Sequence, residues 1–238
     1  MRLSIVIPAY NEEDYLPRTM SALNAALRSI PDTEIVVVDN ESTDRTRDIA
    51  AEFGARIVDE TEHNIAKVRN AGAAAAEGDV LVFLDADTIV EPGVFEKILA
   101  AMEDERCLGG SVAVLYERPY RRFWMSAFMR TWEVLGRWTR LRAGALQFCR
   151  RDVWREIGGY DTTIYVGEDV DFHWRLDKLA GKTGRFTTFI ESPPVTTSSR
   201  RWNKMGLLRM LFFTHPITIF LAWRTRWFWK DWYQNAIR

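Results

Sequence analysis

The first hundred residues alternate between short apolar runs and amphipathic stretches. Leu3-Ser4-Ile5-Val6-Ile7-Pro8 reads as a strand closed by its proline. Asn11, Glu12 and Glu13 then suit a helix N-terminus, and Leu16, Met20, Leu23 and Leu27 recur at helical spacing. The unbroken run Glu34–Asp39 predicts a strand buried on both faces. Ser42, Thr43 and Asp44 cap a helix that reaches about Phe53 and stops at Gly54. A short strand over Ala55–Val58 follows, then an alanine-rich helix over Ala66–Ala76 ended by Gly78, then a strand over Val80–Leu84. The second half is less regular. It predicts strands over Val112–Tyr116 and Ala145–Cys149, and helices over Arg121–Trp138, Arg151–Ile157 and Glu168–Leu179, the last ended by Gly181. The tail from Trp202 to Arg238 is helical in pattern, with Pro216 as a break.

Strand–helix–strand repetition of this kind gives an α/β fold, a mostly parallel central sheet with helices on both faces. In such sheets ligands bind beyond the carboxyl ends of the strands. Asn11, Asp39, Asn40, Asp85 and Asp87 all fall at those ends.

Composition narrows the class. With 47% apolar and 27% charged residues in 238, the chain is a folded globular protein of about one domain. A formal net charge of −1 gives no general attraction to nucleic acid. The charge is unevenly spread: Arg200–Arg238 holds eight Lys/Arg against the single acid Asp231. Two cysteines, Cys107 and Cys149, make no disulfide framework and no CxxC zinc pair. The N-terminus enters a strand within three residues, without the pattern of a signal peptide, so a cytoplasmic setting is expected.

Asp85-Ala86-Asp87 closes the strand Val80–Leu84. Two carboxylates one residue apart can share a divalent cation, or divide it with a ribose hydroxyl. Such a triplet is weak alone, because acids are ordinary in turns. Asp39 can accept a base N–H or simply serve its own turn, and Pro8-Ala9-Tyr10-Asn11-Glu12 can form the adjacent wall. Lys67 and Arg69 on the third helix can reach a diphosphate or lie on a solvated face. Glu168 and Asp169 open a helix, where the dipole favours acids, and either can act as a general base. His173 reads as structural, and His63 and His215 have no partner visible in the sequence.

Taken together these residues resemble the family-2 glycosyltransferases, which have a GT-A type nucleotide-diphospho-sugar transferase fold. The resemblance rests on IVIPAYNEEDYL (5–16), VVVDNESTDRT (36–46), AKVRNAG (66–72), GDVLVFLDADT (78–88), GALQFCRRDVWREIGGYD (144–161) and GEDVDFHWRL (167–176), in order. It implies that Pro8, Tyr10, Glu12 and Asp39 line the base pocket, with Arg69 near it or the diphosphate. It further implies Asp85 on ribose or metal, Asp87 on Mn²⁺ or Mg²⁺, Asp169 as base beside Glu168, and Gly158, Gly159 and Tyr160 near donor sugar and acceptor. The implied reaction is inverting transfer of one sugar from a nucleotide-sugar donor, UDP first and GDP second, to a hydroxyl acceptor, lipid-linked or a cell-envelope glycan precursor. Processive members carry Q-x-x-R-W; here Ser198-Ser199-Arg200-Arg201-Trp202 keeps only Arg-Trp, so single transfer is expected. Arg200 and Arg201 are candidates for holding the diphosphate.

The expected organisation is a transferase domain over 1–200, with a nucleotide-binding half over 1–90 and an acceptor-side half over 91–200. A helical aromatic and basic extension over 201–238 follows. Met205–Trp223 approaches the length of a membrane span but contains Arg209, His215 and Pro216. Its aromatic and cationic residues, with those of 119–138, fit an interface-lying element on the inner face of a membrane; packing on the domain or a dimer contact is the alternative. Two other functions compete. A sugar-phosphate nucleotidyltransferase needs a glycine-rich basic loop where Pro-Ala-Tyr-Asn-Glu stands. A non-catalytic nucleotide-sugar binder or membrane scaffold has no chemical use for Asp85, Asp87, Glu168 and Asp169 together.

Overall fold

The computed structural model describes residues 1–117, 144–200, 203, 222–225 and 229. The helix expected over Arg121–Trp138, most of the 202–238 extension, Arg201 and His215 lie outside the described residues. The membrane contact expected through 119–138 and 202–238 falls almost wholly outside the described residues. Among the described residues, no helix is long and apolar enough to cross a membrane.

Among the described residues, eight strands form one sheet in the order β3-β2-β1-β4-β7-β6-β8-β5. β1 (Leu3–Ala9), β2 (Thr33–Asp39), β3 (Arg56–Asp59) and β4 (Val80–Leu84) make the parallel half. β7 (Leu146–Arg150) then runs antiparallel to both β4 and β6 (Cys107–Tyr116). β8 (Phe186–Thr197) runs parallel to β6, and the two-residue β5 (Thr88–Ile89) runs antiparallel to the end of β8.

Strand side chains alternate between the two faces of this sheet. Leu3, Ile5, Ile7, Val82 and Leu84 pack under α1 (Leu16–Ala26), α2 (Thr46–Glu52) and α4 (Val94–Met102). Val6, Val36, Val38, Leu81 and Phe83 pack under α3 (Ile65–Ala75), α5 (Arg151–Glu156) and α6 (Glu168–Thr183). α3 lies close on the sheet because Gly72 has no side chain. A Cβ there would stand 2.6 Å from Val38 Cγ2 and closer still to Val6.

Three local expectations change. Asn11 takes a left-handed φ of 53°, so α1 starts at Leu16 and Glu12 is free to turn into the site. Gly181 does not end α6: its missing side chain faces open space, and a helical glycine there costs only about 1 kcal/mol. The stop is Gly184, left-handed at φ 65°. β8 has no counterpart among the expected elements: it contains Pro193 and Pro194, and it follows β6 through register shifts, where a missing N–H is tolerated.

Candidate active site

The carboxyl ends of β1, β2 and β4 bring Glu12, Asp39, Asp85 and Asp87 to one edge of the parallel half. Asp85 follows β4 directly, its N–H donating to the Ala145 carbonyl at 3.1 Å and its own carbonyl accepting from Thr88 N at 3.1 Å. That turn starts β5, whose pairing with Thr196–Thr197 draws the end of β8 against Asp87. Thr197 Oγ1 donates to Asp87 Oδ1 at 3.3 Å, and Ser198 N donates to the Asp87 carbonyl at 3.2 Å.

Arg200 is delivered by this route. Its Nη2 donates to Glu12 Oε1 at 2.5 Å and its Nε lies 3.2 Å from Asp87 Oδ2. The guanidinium also sits 4.3 Å from the centre of the Tyr15 ring. Burial disfavours its charge, but Glu12 and Asp87 outweigh that and raise its pKa. The other oxygen of Glu12, Oε2, is buried with no hydrogen-bond partner among the described residues.

Arg69 is the second hub, and it is only 4% exposed. Its Nη1 donates to Glu168 Oε1 at 2.6 Å and its Nη2 to Asp85 Oδ1 at 2.8 Å. The guanidinium lies 5.3 Å from the Tyr160 ring centre. Burial opposes the charge, yet Asp85 and Glu168 hold the pKa above its ordinary value. Lys67 turns away and pairs with Glu62.

Burial pushes Glu168 up to about 7, helped by the charges of Asp169 and Asp85 and opposed by Arg69. Burial likewise raises Asp169, against Arg69 and against N–H bonds from Val170 and Gly144. One guanidinium cannot neutralise three carboxylates, so both acids keep a raised affinity for a proton.

The expected base pocket lies beyond β1 and β2. Asp39 is 5% exposed, and its Oδ1 accepts from Ser42 N at 3.3 Å. Arg47 Nη1 lies 3.6 Å from Asp39 Oδ2 and also pairs with Asp59. Tyr10 meets His63 edge to face at 5.0 Å, and His63 Nε2 lies 3.3 Å from Glu41. His63 thus gains the partners that the sequence hides. Pro8 remains a buried strand residue, paired with Val38.

Two placements differ from expectation. Glu12 pairs with Arg200. Tyr160, 1% exposed, faces the core: it stacks on Phe172 at 4.2 Å and meets Phe83 at 4.9 Å. Of the Gly158–Tyr160 loop, only backbone and glycines remain to meet a sugar. His173 is buried beside Asp177, 3.7 Å away, in keeping with a structural role.

The residues suit a hard divalent cation in one respect. Five carboxylates (Glu12, Asp85, Asp87, Glu168, Asp169) gather around two guanidinium groups, and one carboxylate oxygen is orphaned. Among the described residues, no three side chains form a ready metal cage. An ion held by Asp85 and Asp87 would take its other oxygens from a diphosphate, as Mg²⁺-type sites commonly do.

The sequence missed Gln147 and Asn70. Gln147 is the polar break in the apolar run Ala145–Cys149, and that break was the available signal. Asn70 gave none.

Residues 4–158 match the description of glycosyl transferase family 2. The chain belongs to that family. A validoxylamine A glucosyltransferase of Streptomyces hygroscopicus subsp. jinggangensis is 35% identical over 105 residues, which is 42% of this family-2 chain and 25% of the relative. The chain therefore spans about a quarter of that relative's length. A Pyrobaculum calidifontis mannosyltransferase, solved with GDP-Man and Mn²⁺, superposes with a TM-score of 0.62 at 21% identity, covering 83% of this chain and 56% of its own. Glucosyl-3-phosphoglycerate synthase of Mycobacterium tuberculosis, solved with Mn²⁺, UDP and glucosyl-3-phosphoglycerate, gives 0.61 at 18% identity, covering 94% of this chain and 79% of its own. The architecture is thus the GT-A type fold.

Proposed function

We propose that this family-2 chain moves one sugar from a nucleotide-diphospho-sugar to a hydroxyl acceptor, with inversion at the anomeric carbon. The observation that carries the reading is the convergence of Asp85, Asp87, Glu168 and Asp169 on the two guanidinium groups of Arg69 and Arg200. Asp39 accepts a ring N–H of the base, between Arg47 and the Tyr10 wall. Arg200 exchanges its contacts with Glu12 and Asp87 for the diphosphate. Asp85 and Asp87 are the residues that would hold a Mn²⁺ or Mg²⁺, whose chemistry there would be to neutralise charge on the departing diphosphate.

Asp169 takes the proton of the acceptor hydroxyl, and the hydroxyl oxygen forms the bond to the anomeric carbon as the bond to diphosphate breaks. A raised pKa suits that role, since a very acidic carboxyl would accept a proton poorly. Arg69 fixes Asp85 and Glu168 at the donor side of the same site. UDP is the first donor nucleotide to test and GDP the second; relatives bound to each share the fold. The acceptor is a lipid-linked or cell-envelope glycan precursor, approached from the inner face of the membrane through 119–138 and 202–238. Vesicle flotation at low salt tests that last point: sedimentation without lipid removes it.

The test of the activity is nucleoside diphosphate release from UDP-, GDP- and dTDP-sugars with Mn²⁺, Mg²⁺ or EDTA. Slow hydrolysis of one donor, abolished by EDTA and by Asp87→Ala, is expected. Silence across the panel, with no donor binding in calorimetry, would leave a non-catalytic scaffold.

A further inference from the structure

β7 carries a polar side chain where an apolar one would fill the space. Gln147 is 1% exposed, and both ends of its amide are used. Nε2 donates to the main-chain carbonyl of Asp169 at 2.9 Å, and Oε1 accepts from the Tyr160 hydroxyl at 3.1 Å. A flipped amide would set oxygen against the Asp169 carbonyl, so its orientation is fixed. Tyr160 is itself immobilised by Phe172 and Phe83, and by Asn70. Asn70 Nδ2 donates to the Tyr160 carbonyl at 2.8 Å and its Oδ1 accepts from Tyr160 N at 2.8 Å. Asn70 is the chain neighbour of Arg69, which holds Glu168. The first turn of α6 is thereby tied both to β7 and to α3.

Gly144, just before β7, completes the arrangement. Its N–H donates to the Asp169 carboxyl, which also accepts from Val170 N at 2.9 Å. A Cβ on Gly144 would overlap Asp169 Oδ2 and Cβ and would stand 2.7 Å from its Cγ. Only glycine lets the carboxyl occupy this place.

We infer that Gln147 and Gly144 are positioning residues, which act on the reaction by fixing where the Asp169 carboxyl stands. The inference rests on the assignment of Asp169 as base. The hydrogen bonds of Gln147 offset the cost of burying it and add little stability, so an apolar side chain of that shape would pack as well. Their consequence is geometric. A misplacement of the reacting group by about 1 Å can lower a rate on the order of a hundredfold.

The test uses the full chain, with hydrolysis of the active donor as the readout and water as acceptor. Gln147→Met combined with Tyr160→Phe removes the amide and the hydroxyl that bonds to it at nearly constant shape, so thermal midpoint and circular dichroism are expected to stay close to those of the parent. We expect kcat to fall about tenfold or more while donor KM stays within about twofold, a loss confined to the transition state. Introduced into Asp169→Asn, the same two substitutions should change the residual rate less than about twofold, because the group they position is gone. Gly144→Ala pushes the carboxyl aside and should give the same kcat-selective loss.

An undiminished kcat, a change in KM alone, or an equal loss in the Asp169→Asn background would overturn the inference. If the double variant misfolds, Gln147→Met alone, which removes the bond to the Asp169 carbonyl, carries the same comparison. Full activity of Asp169→Asn by itself would bring down the base assignment, and this inference with it; that outcome is read from the single variant alone.

Discussion

Arg69 is one positive charge bonded to Asp85 and Glu168, with Asp169 nearby. Arg69→Met would leave the buried Glu168 and the partly exposed Asp85 without their counter-ion, a loss on the order of 3–5 kcal/mol. Urea unfolding should register it; a change below about 1 kcal/mol would mean that water already screens the site. Glu168 gives the same cluster a pH dependence. Its folded-state pKa, raised to about 7 from an ordinary 4.5, makes the folded chain bind more protons than the unfolded one between those values. Stability from this group is therefore full below about pH 4.5 and declines as pH rises toward 7. Glu168→Gln should flatten that part of the Tm–pH curve, and an unchanged slope would contradict the raised pKa. The acids themselves were legible in the sequence, since they sit in motifs; their shared cation was not. Arg69 and Glu168 are 99 residues apart, and no local pattern connects them.

At the scale of the element, the helices were legible where caps and apolar spacing agree. Asn64 begins α3 by accepting from Ala66 N at 2.9 Å and Lys67 N at 3.2 Å. Its Nδ2 also donates to the Thr162 carbonyl at 2.9 Å, holding the loop that follows α5. Asn64→Ala should cost about 1–2 kcal/mol in chemical denaturation, at the upper end of N-cap losses because a tertiary bond goes with it. Gly72→Ala in the same helix should destabilise by about 1–3 kcal/mol despite alanine's better propensity, because the new methyl enters Val6 and Val38. A gain in stability from that variant would mean α3 can lift from the sheet without penalty. β8 failed the sequence reading for a related reason. Its residues gain strand geometry from β6, and local preference at Pro193-Pro194 points elsewhere.

For the molecule as a whole, sheet order decides which residues meet. The short β5–β8 pairing carries Arg200 to Glu12, 188 residues away in the chain, and to Asp87. Arg200→Ala should weaken nucleoside diphosphate binding about tenfold, or ~1.4 kcal/mol, in calorimetry. Unchanged affinity would leave Arg200 as an internal counter-ion and nothing more. The sequence by itself determined the α/β alternation, the buried parallel strands and the presence of acids at their carboxyl ends. Those follow from periodicity and turn chemistry, which act over a few residues. Only the tertiary structure decided that Arg69 serves Asp85 and Glu168, that Glu12 turns to Arg200, that Tyr160 is core, and that Gln147 grips Asp169. Each depends on the register between strands far apart in the chain, and register is fixed cooperatively by packing on both faces of the sheet.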